Sequence, residues 1–152
     1  MMFYDPGVDP VLDRIDQRIS GWMRAHGVGL CRLALGVVFV WFGALKVFDI
    51  GPAKDLVTRT VYWVNPSWFY PFLGAWEVAI GAGLLIRPLQ RAAILLLFLQ
   101  MPGTMLPLVL LPDVCFARVP WEPTLEGQYI IKNLVLIAAA IVVGGTVRSA
   151  PK

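Results

Sequence analysis

The sequence predicts an all-α integral membrane protein, a four-transmembrane-helix up-down bundle with an N-terminal amphipathic helix at the membrane surface. Apolar residues make up 58% of the 152 residues, charged residues only 15%, and the mean hydropathy is +0.70. Soluble domains carry about 25% charged residues. Four apolar runs each approach the length of about 20 residues that crosses a bilayer as a helix. Residues 1–152 are therefore predicted to form a single membrane domain.

The amphipathic helix is predicted at about residues 10–25, with Asp9 as its N-cap and Pro10 in its first turn. Its apolar face holds Val11, Leu12, Ile15, Ile19, Trp22 and Met23, and its polar face holds Asp13, Arg14, Asp16, Gln17, Arg18 and Arg24. This pattern is typical of a helix lying on a membrane. Packing on a partner protein and an ordinary cytosolic helix are the alternatives. Gly27 and Gly29 are expected to end the helix and turn the chain inward.

The four spans are predicted at about residues 28–48, 68–86, 92–111 and 128–146. In the first two, small and polar residues recur at alternating steps of three and four and so share one stripe of each helix. The stripes are Gly29, Arg32, Gly36, Phe39, Gly43 and Lys46 in the first span, and Tyr70, Gly74, Glu77, Gly81 and Leu84 in the second. Small residues let membrane helices approach closely, so we expect the two stripes to face each other.

Two shorter features lie between and within these spans. Residues 53–64, in the connection after the first span, have the apolar spacing of a short amphipathic helix. In the third span, Pro102–Gly103 and Pro107 predict a kink. Such a break is tolerated in a membrane where neighbouring groups satisfy the backbone, and it is either a packing feature or part of a binding site.

The distribution of Lys and Arg predicts the orientation. One side of the membrane holds Arg14, Arg18, Arg24, Arg87, Arg91, Arg148 and Lys152, and the other holds Lys54, Arg59 and Arg118. The positive-inside rule places both termini in the cytoplasm, so the predicted location is the inner (plasma) membrane, crossed several times. The net charge of +3 is small and dispersed, so the expected partners are membrane lipids and a membrane protein complex, and nucleic acid is not among them.

Glu77 is the most informative single residue, because an ionisable group inside an apolar span is costly and normally has a partner. By depth along the spans, Lys132 is the expected partner and Lys46 the second choice. Gln100 lies at a similar depth on the third span. The predicted site is a buried polar cluster, with no catalytic and no metal-binding residue, that consists of Glu77, Lys132, Asn133, Lys46, Gln100 and, toward the cytoplasm, Arg32.

Three interpretations of this cluster are open. It is an interhelical ion pair that fixes the fold, a polar pocket for the head group of a quinone, isoprenoid or other lipid, or a proton relay. His26 is the one histidine, so no histidine pair is available for haem. Cys31 and Cys115 are expected at opposite membrane faces as free thiols, too far apart for a disulfide. No haem or metal cofactor is therefore predicted within the chain. A bound quinone or lipid is the one candidate ligand.

Three segments resemble the DoxX-like family of small four-span membrane proteins: RLALGVVFVWFGALKVF at Arg32–Phe48, EVAIGAGLLI at Glu77–Ile86 and EGQYIIKNLVLI at Glu126–Ile137. The last is also similar to related membrane proteins linked to reactive-chlorine resistance. The founding relatives are small subunits of a thiosulfate:quinone oxidoreductase. Others associate with oxidative-stress or thiol-redox enzymes, and more distant ones act as chaperones or cargo receptors.

By this resemblance, Arg32, Lys46, Glu77, Lys132 and Asn133 match recurring polar positions of the family. The spans contain no cysteine pair, which argues against direct dithiol chemistry. The first functional hypothesis is a non-catalytic accessory subunit of a redox or respiratory membrane complex that contacts quinone. The second is a lipid- or isoprenoid-binding module, or an assembly or chaperone factor, without a redox role. A stand-alone enzyme is the third.

Overall fold

A computed structural model describes residues 10–147 and is almost entirely helical. Its helices are α1 (Pro10–Val47), α2 (Lys54–Thr60), α3 (Pro66–Leu85), α4 (Gln90–Met105), α5 (Pro107–Leu110), α6 (Pro112–Cys115), α7 (Leu125–Ile131) and α8 (Asn133–Thr146). A 3₁₀ turn, Arg87–Leu89, precedes α4, and the antiparallel strands β1 (Phe116–Arg118) and β2 (Glu122–Pro123) separate α6 from α7. The predicted N-cap Asp9 and the tail residues Arg148 and Lys152 lie outside the described residues.

Four helical segments are long and apolar enough to cross a membrane: Pro10–Val47, Pro66–Leu85, Arg87–Leu110 and Leu125–Thr146. The prediction of an all-α membrane protein with four candidate spans is therefore confirmed at this level. The third segment combines the 3₁₀ turn with α4 and α5, and the fourth combines α7 with α8. The amphipathic stretch in the first connection is helical over Lys54–Thr60, which is shorter than the predicted 53–64.

The predicted break at Gly27 and Gly29 is wrong, because α1 is one continuous helix of 38 residues. At 1.5 Å per residue it is about 57 Å long, nearly twice the roughly 30 Å of a hydrocarbon core. A Cβ atom at either glycine would meet nothing within 4 Å, so no neighbouring element forces the chain to turn there. A glycine inside a helix costs only about 1 kcal/mol, and α1 continues through both.

The closest helix–helix contact joins α1 to α3 through glycines. A Cβ added at Gly43 would lie 2.6 Å from the carbonyl oxygen of Gly74, and one added at Gly81 would lie 2.6 Å from that of Gly36. The residue numbers rise along α1 as they fall along α3, so the two helices are antiparallel here. The two stripes face each other as predicted, and the missing side chains allow the two backbones to touch.

One end of the helical bundle, which we call the core end, is filled by apolar side chains. Its buried cluster consists of Leu35, Phe39, Ile80, Leu84, Ala93, Leu97, Met101, Ala140 and Val143. Here α4 packs against α3, where Gly83 leaves room for the Ala93 methyl group. Helix α8 contacts both α1 and α4. These residues come from all four candidate spans, so the core end holds the spans together.

At the opposite end, the third and fourth segments are interrupted. The helix is continuous through Pro102 but ends at Met105, one residue before the Leu106–Pro107 step. Pro107 has no N–H and its ring clashes with the preceding turn, which explains the break. The fourth segment is interrupted at Lys132, between α7 and α8. We call this region the cavity end, because a cavity lies between the helices here.

Candidate functional site

A half-open cavity of about 340 Å³ lies at the cavity end, lined by residues of α1 to α5, α7 and α8. Its aromatic wall consists of Phe39, Phe42, Phe69, Phe72, Trp76 and Tyr129. Its polar side chains are Lys46, Thr60, Glu77, Gln100, Thr104 and Asn133. The volume is at the lower end of the roughly 300–1,000 Å³ of small-molecule pockets, and mostly apolar walls with a few polar groups are typical of such pockets.

Three of these polar side chains form a connected group, which we call the polar triad. Lys46 Nζ lies 2.5 Å from Glu77 Oε2, and Gln100 Nε2 donates a hydrogen bond of 2.7 Å to Glu77 Oε1. Lys46 is 9% exposed, Glu77 7% and Gln100 8%. The carboxylate of Glu77 on α3 therefore binds one side chain from α1 and one from α4.

The glycine contact explains why Lys46 and Glu77 meet. Lys46 follows Gly43 by one turn of α1, and Glu77 follows Gly74 by one turn of α3. A Cβ at Gly74 would lie 2.8 Å from the Lys46 Cβ, and a Cβ at Gly43 would lie 2.9 Å from the Glu77 Cβ. The touching backbones thus place the two charged side chains against each other. Removing two charges from water is expensive, and the amide of Gln100 satisfies the second carboxylate oxygen.

The predicted pairing of Glu77 with Lys132 is wrong. Lys132 is exposed at the break between α7 and α8, and its side chain makes no hydrogen bond or ion pair within residues 10–147. The prediction placed the ends of all spans at one level. In the structure, Lys46 in the last turn of α1 meets Glu77 about three turns into α3.

The offset between α1 and α3 is filled by the connection that follows α1. The Tyr70 hydroxyl donates a hydrogen bond of 3.2 Å to the carbonyl oxygen of Gly51. Tyr70 lies in the early turns of α3, beyond the level at which α1 ends. The chain after Val47 therefore packs beside the first turns of α3, and α1 ends before it reaches the level of those turns.

The other predicted site residues lie in different places. Gln100 belongs to the polar triad, as predicted, and Asn133 lines the same cavity without bonding to the triad. Arg32 lies more than three turns before Lys46 on α1, away from the cavity lining, and its Nε is buried without a hydrogen-bond partner among the described residues. The structure therefore joins three of the six predicted residues and places a fourth beside them.

Sequence reasoning missed the contribution of α2 to this site. Leu56, Val57, Thr60 and the adjacent Val61 line the cavity. Thr60 is only 4% exposed, and its hydroxyl donates a hydrogen bond of 2.6 Å to the carbonyl oxygen of Leu56 within the helix. The apolar spacing of residues 53–64 predicted a short amphipathic helix. It did not indicate that the apolar face of this helix lines the site.

Both cysteines are free thiols, as predicted. Cys31 Sγ approaches the carbonyl oxygen of Ala139 at 3.9 Å, so it lies between α1 and α8. Cys115, between the third and fourth segments, is fully buried and donates to the carbonyl oxygen of Pro107 at 3.4 Å. Burial raises the pKa of the Cys115 thiol, and the carboxylate of Glu126 raises it further. Cys115 is therefore a structural thiol that stays protonated near neutral pH.

The chain matches no protein-family model, no curated protein and no solved structure at a significant level. Within residues 10–147, no group of three or more His, Cys, Asp or Glu side chains could hold a metal ion. The charged side chains on the cavity lining are Lys46 and Glu77, and they are bonded to each other. The arrangement is therefore suited to holding a small molecule with an apolar body and a polar end.

Proposed function

We propose that this protein is a non-catalytic membrane subunit that binds the head group of an amphipathic molecule, a quinone in the first place, in its cavity. The observation that carries the proposal is the cavity of about 340 Å³, which is lined by six aromatic side chains and by the polar triad. Apolar walls with a few fixed polar groups suit a quinone or isoprenoid head group, with its tail leaving between the helices. Lys46 and Glu77 are paired with each other, so neither is free to exchange a proton with a ligand. This favours a binding role over acid–base chemistry.

Association with a larger redox or respiratory complex is the second part of the proposal. It is supported by the resemblance to the DoxX-like family, whose founding relatives are subunits of a quinone-linked oxidoreductase. Large apolar side chains are exposed along all four candidate spans, for example Trp41, Trp68, Leu95 and Val135. Lipid tails or the helices of a partner would cover them. The second candidate function is a lipid- or isoprenoid-binding module without a redox role. The same cavity supports it, because the cavity does not require a redox partner.

The proposed topology is an up-down bundle in the plasma membrane with both termini in the cytoplasm. The uneven distribution of Lys and Arg supports this orientation, which places the cavity toward the outer surface. Within α1, Val11, Leu12 and Ile15 are exposed beside charged residues. This pattern supports a membrane-surface role for the N-terminal half of the helix.

A pair of glycine variants tests the binding proposal. Gly103 lines the cavity, and a Cβ atom there would meet nothing within 4 Å. A leucine at this position would take up part of the cavity. Gly145, on α8 and away from the cavity lining, has the same open surroundings and provides the matched control.

The experiment is mass spectrometry of the apolar compounds extracted from each purified protein. We expect a quinone or isoprenoid in stoichiometric amounts from the wild type and from Gly145→Leu, and at least a ten-fold loss from Gly103→Leu. Equal amounts in all three proteins, or none in any, would refute the binding proposal. Purification from native membranes tests the second part, because an accessory subunit must bring a stoichiometric partner with it. Recovery as a free monomer or homodimer contradicts that part alone.

A further inference from the structure

The Gln100 side chain, on the cavity lining, leaves one of its hydrogen-bonding atoms without a partner among the described residues. Its Nε2 donates to Glu77, whereas its Oε1 is buried and has no hydrogen-bond partner within residues 10–147. Gln100 is 8% exposed and lies on the cavity lining. A buried carbonyl oxygen without a donor is unfavourable, since it has lost its hydrogen bonds to water. A ligand in the cavity that reaches this oxygen therefore has to bring a donor.

The charge of the lining restricts this donor further. Lys46 and Glu77 are the charged residues of the lining and neutralise each other. An anionic head group such as a phosphate would find no second cation among the described residues of the lining. A cationic head group would be repelled by the Lys46 ammonium, which already neutralises Glu77. Burying an unpaired charge is costly, so the arrangement selects a neutral donor.

The chemistry of the neighbouring groups favours a hydroxyl group over an N–H. The Lys46 ammonium has three N–H groups and uses one of them in its bond to Glu77 Oε2. A hydroxyl group can donate, as Gln100 Oε1 requires, and can also accept, as the other N–H groups of Lys46 require. A ketone oxygen or a methyl ether can only accept and would leave Gln100 Oε1 without a partner.

The walls indicate what carries the hydroxyl. Six aromatic rings line a cavity of about 340 Å³, and aromatic pairs in stacked or edge-to-face geometry gain free energy beyond the burial of their surface. We infer that the cavity recognises a neutral phenol-type hydroxyl, as in a hydroquinone or a phenolic lipid, through donation to Gln100 Oε1. This inference rests on the binding function proposed above and specifies its ligand class. For a quinone couple, it selects the reduced form.

The test uses 4-octylphenol and its methyl ether, 4-octylanisole, which differ in the ability to donate. Saturable binding to the protein in lipid nanodiscs is measured by calorimetry, with empty nanodiscs as the blank. We expect the wild type to bind the phenol at least ten-fold more tightly than the ether. In Gln100→Met, which has a similar shape and lacks the amide, the ratio should fall to about one. Thr146→Val, on α8 away from the cavity, should keep the wild-type ratio.

The outcomes separate the inference from the proposed function. If the wild type binds both probes equally, the hydroxyl inference is overturned and the binding function stands. If neither probe binds saturably, the binding function fails together with the inference. A ten-fold preference that persists in Gln100→Met also overturns the role of Gln100. Should Gln100→Met fail to fold, the wild-type comparison by itself still supports or refutes recognition of the hydroxyl. Hydroquinone and phenolic lipid are then distinguished by mass spectrometry of the native extract.

Discussion

The core end and the cavity end of this protein are built from the same helices and differ in what those helices enclose. At the core end, Leu84 and Leu97 are fully buried and fill the space between the spans. At the cavity end, the spans carry the polar triad and leave about 340 Å³ between them. Glycine contacts between α1 and α3 occur at both ends, at Gly36–Gly81 and Gly43–Gly74, so α1 and α3 stay close along both regions.

The difference arises in the third and fourth segments. Both are continuous helices near the core end and are interrupted near the cavity end, at Leu106 and Lys132. Pro107 and Asn133, which follow the two breaks, line the cavity. The helices are thus packed closely at the end where all of them are continuous, and the cavity lies at the end where two of them are interrupted.

The largest expected effect concerns the ion pair at the cavity end. Glu77→Gln leaves Lys46 buried without a counter-charge, and breaking a buried pair in this way costs about 3–5 kcal/mol of the free energy of unfolding. Adding Lys46→Met should recover part of this loss, since it removes the unpaired charge. Denaturant titration in detergent micelles measures both. Lys132→Met is the control, and its effect on the free energy of unfolding should add to that of Glu77→Gln. A rescue of Glu77→Gln by Lys132→Met would instead support a Glu77–Lys132 pair and contradict the pair with Lys46.

The next effect compares leucines of α3 at the two ends. Leu84 is fully buried at the core end, whereas Leu73 is partly exposed and lines the cavity. We expect Leu84→Ala to lower the free energy of unfolding by about 2–5 kcal/mol, because the cavity it creates removes packing contacts. Leu73→Ala should lower it by less than half as much, since space already exists beside that side chain. The same titration applies, and equal losses at both positions would mean that the two ends are packed alike.

The smallest of the three effects concerns the glycine contact that supports the triad. In Gly43→Ala, the new methyl group would meet the backbone of α3 at Gly74 and Val78, and overpacking of this kind costs about 1–3 kcal/mol. Gly29→Ala on the same helix has open space around it and should be neutral or slightly stabilising. Thermal unfolding in detergent measures both variants. A tolerated Gly43→Ala with an unchanged melting temperature would contradict the close backbone contact between α1 and α3.

Much of the architecture could be predicted from the sequence. Apolar runs of membrane-spanning length predicted the candidate spans, because hydropathy and length alone decide whether a helix suits a bilayer. The recurrence of Gly36 and Gly43, and of Gly74 and Gly81, predicted the face-to-face contact of α1 and α3. The polar residues of the site were also identifiable, because polar groups inside apolar helices are rare.

The tertiary structure alone decided which of these residues meet. Glu77 pairs with Lys46 and not with Lys132, because the glycine contact fixes how far α1 extends alongside α3. Sequence position gives a residue's place along its own helix, whereas the offset between two helices depends on long-range packing. The cavity likewise depends on α2, which contributes Val57 and Thr60 to its lining. The sequence by itself thus determined a set of membrane helices with a polar stripe, and only their packing turned that stripe into a cavity.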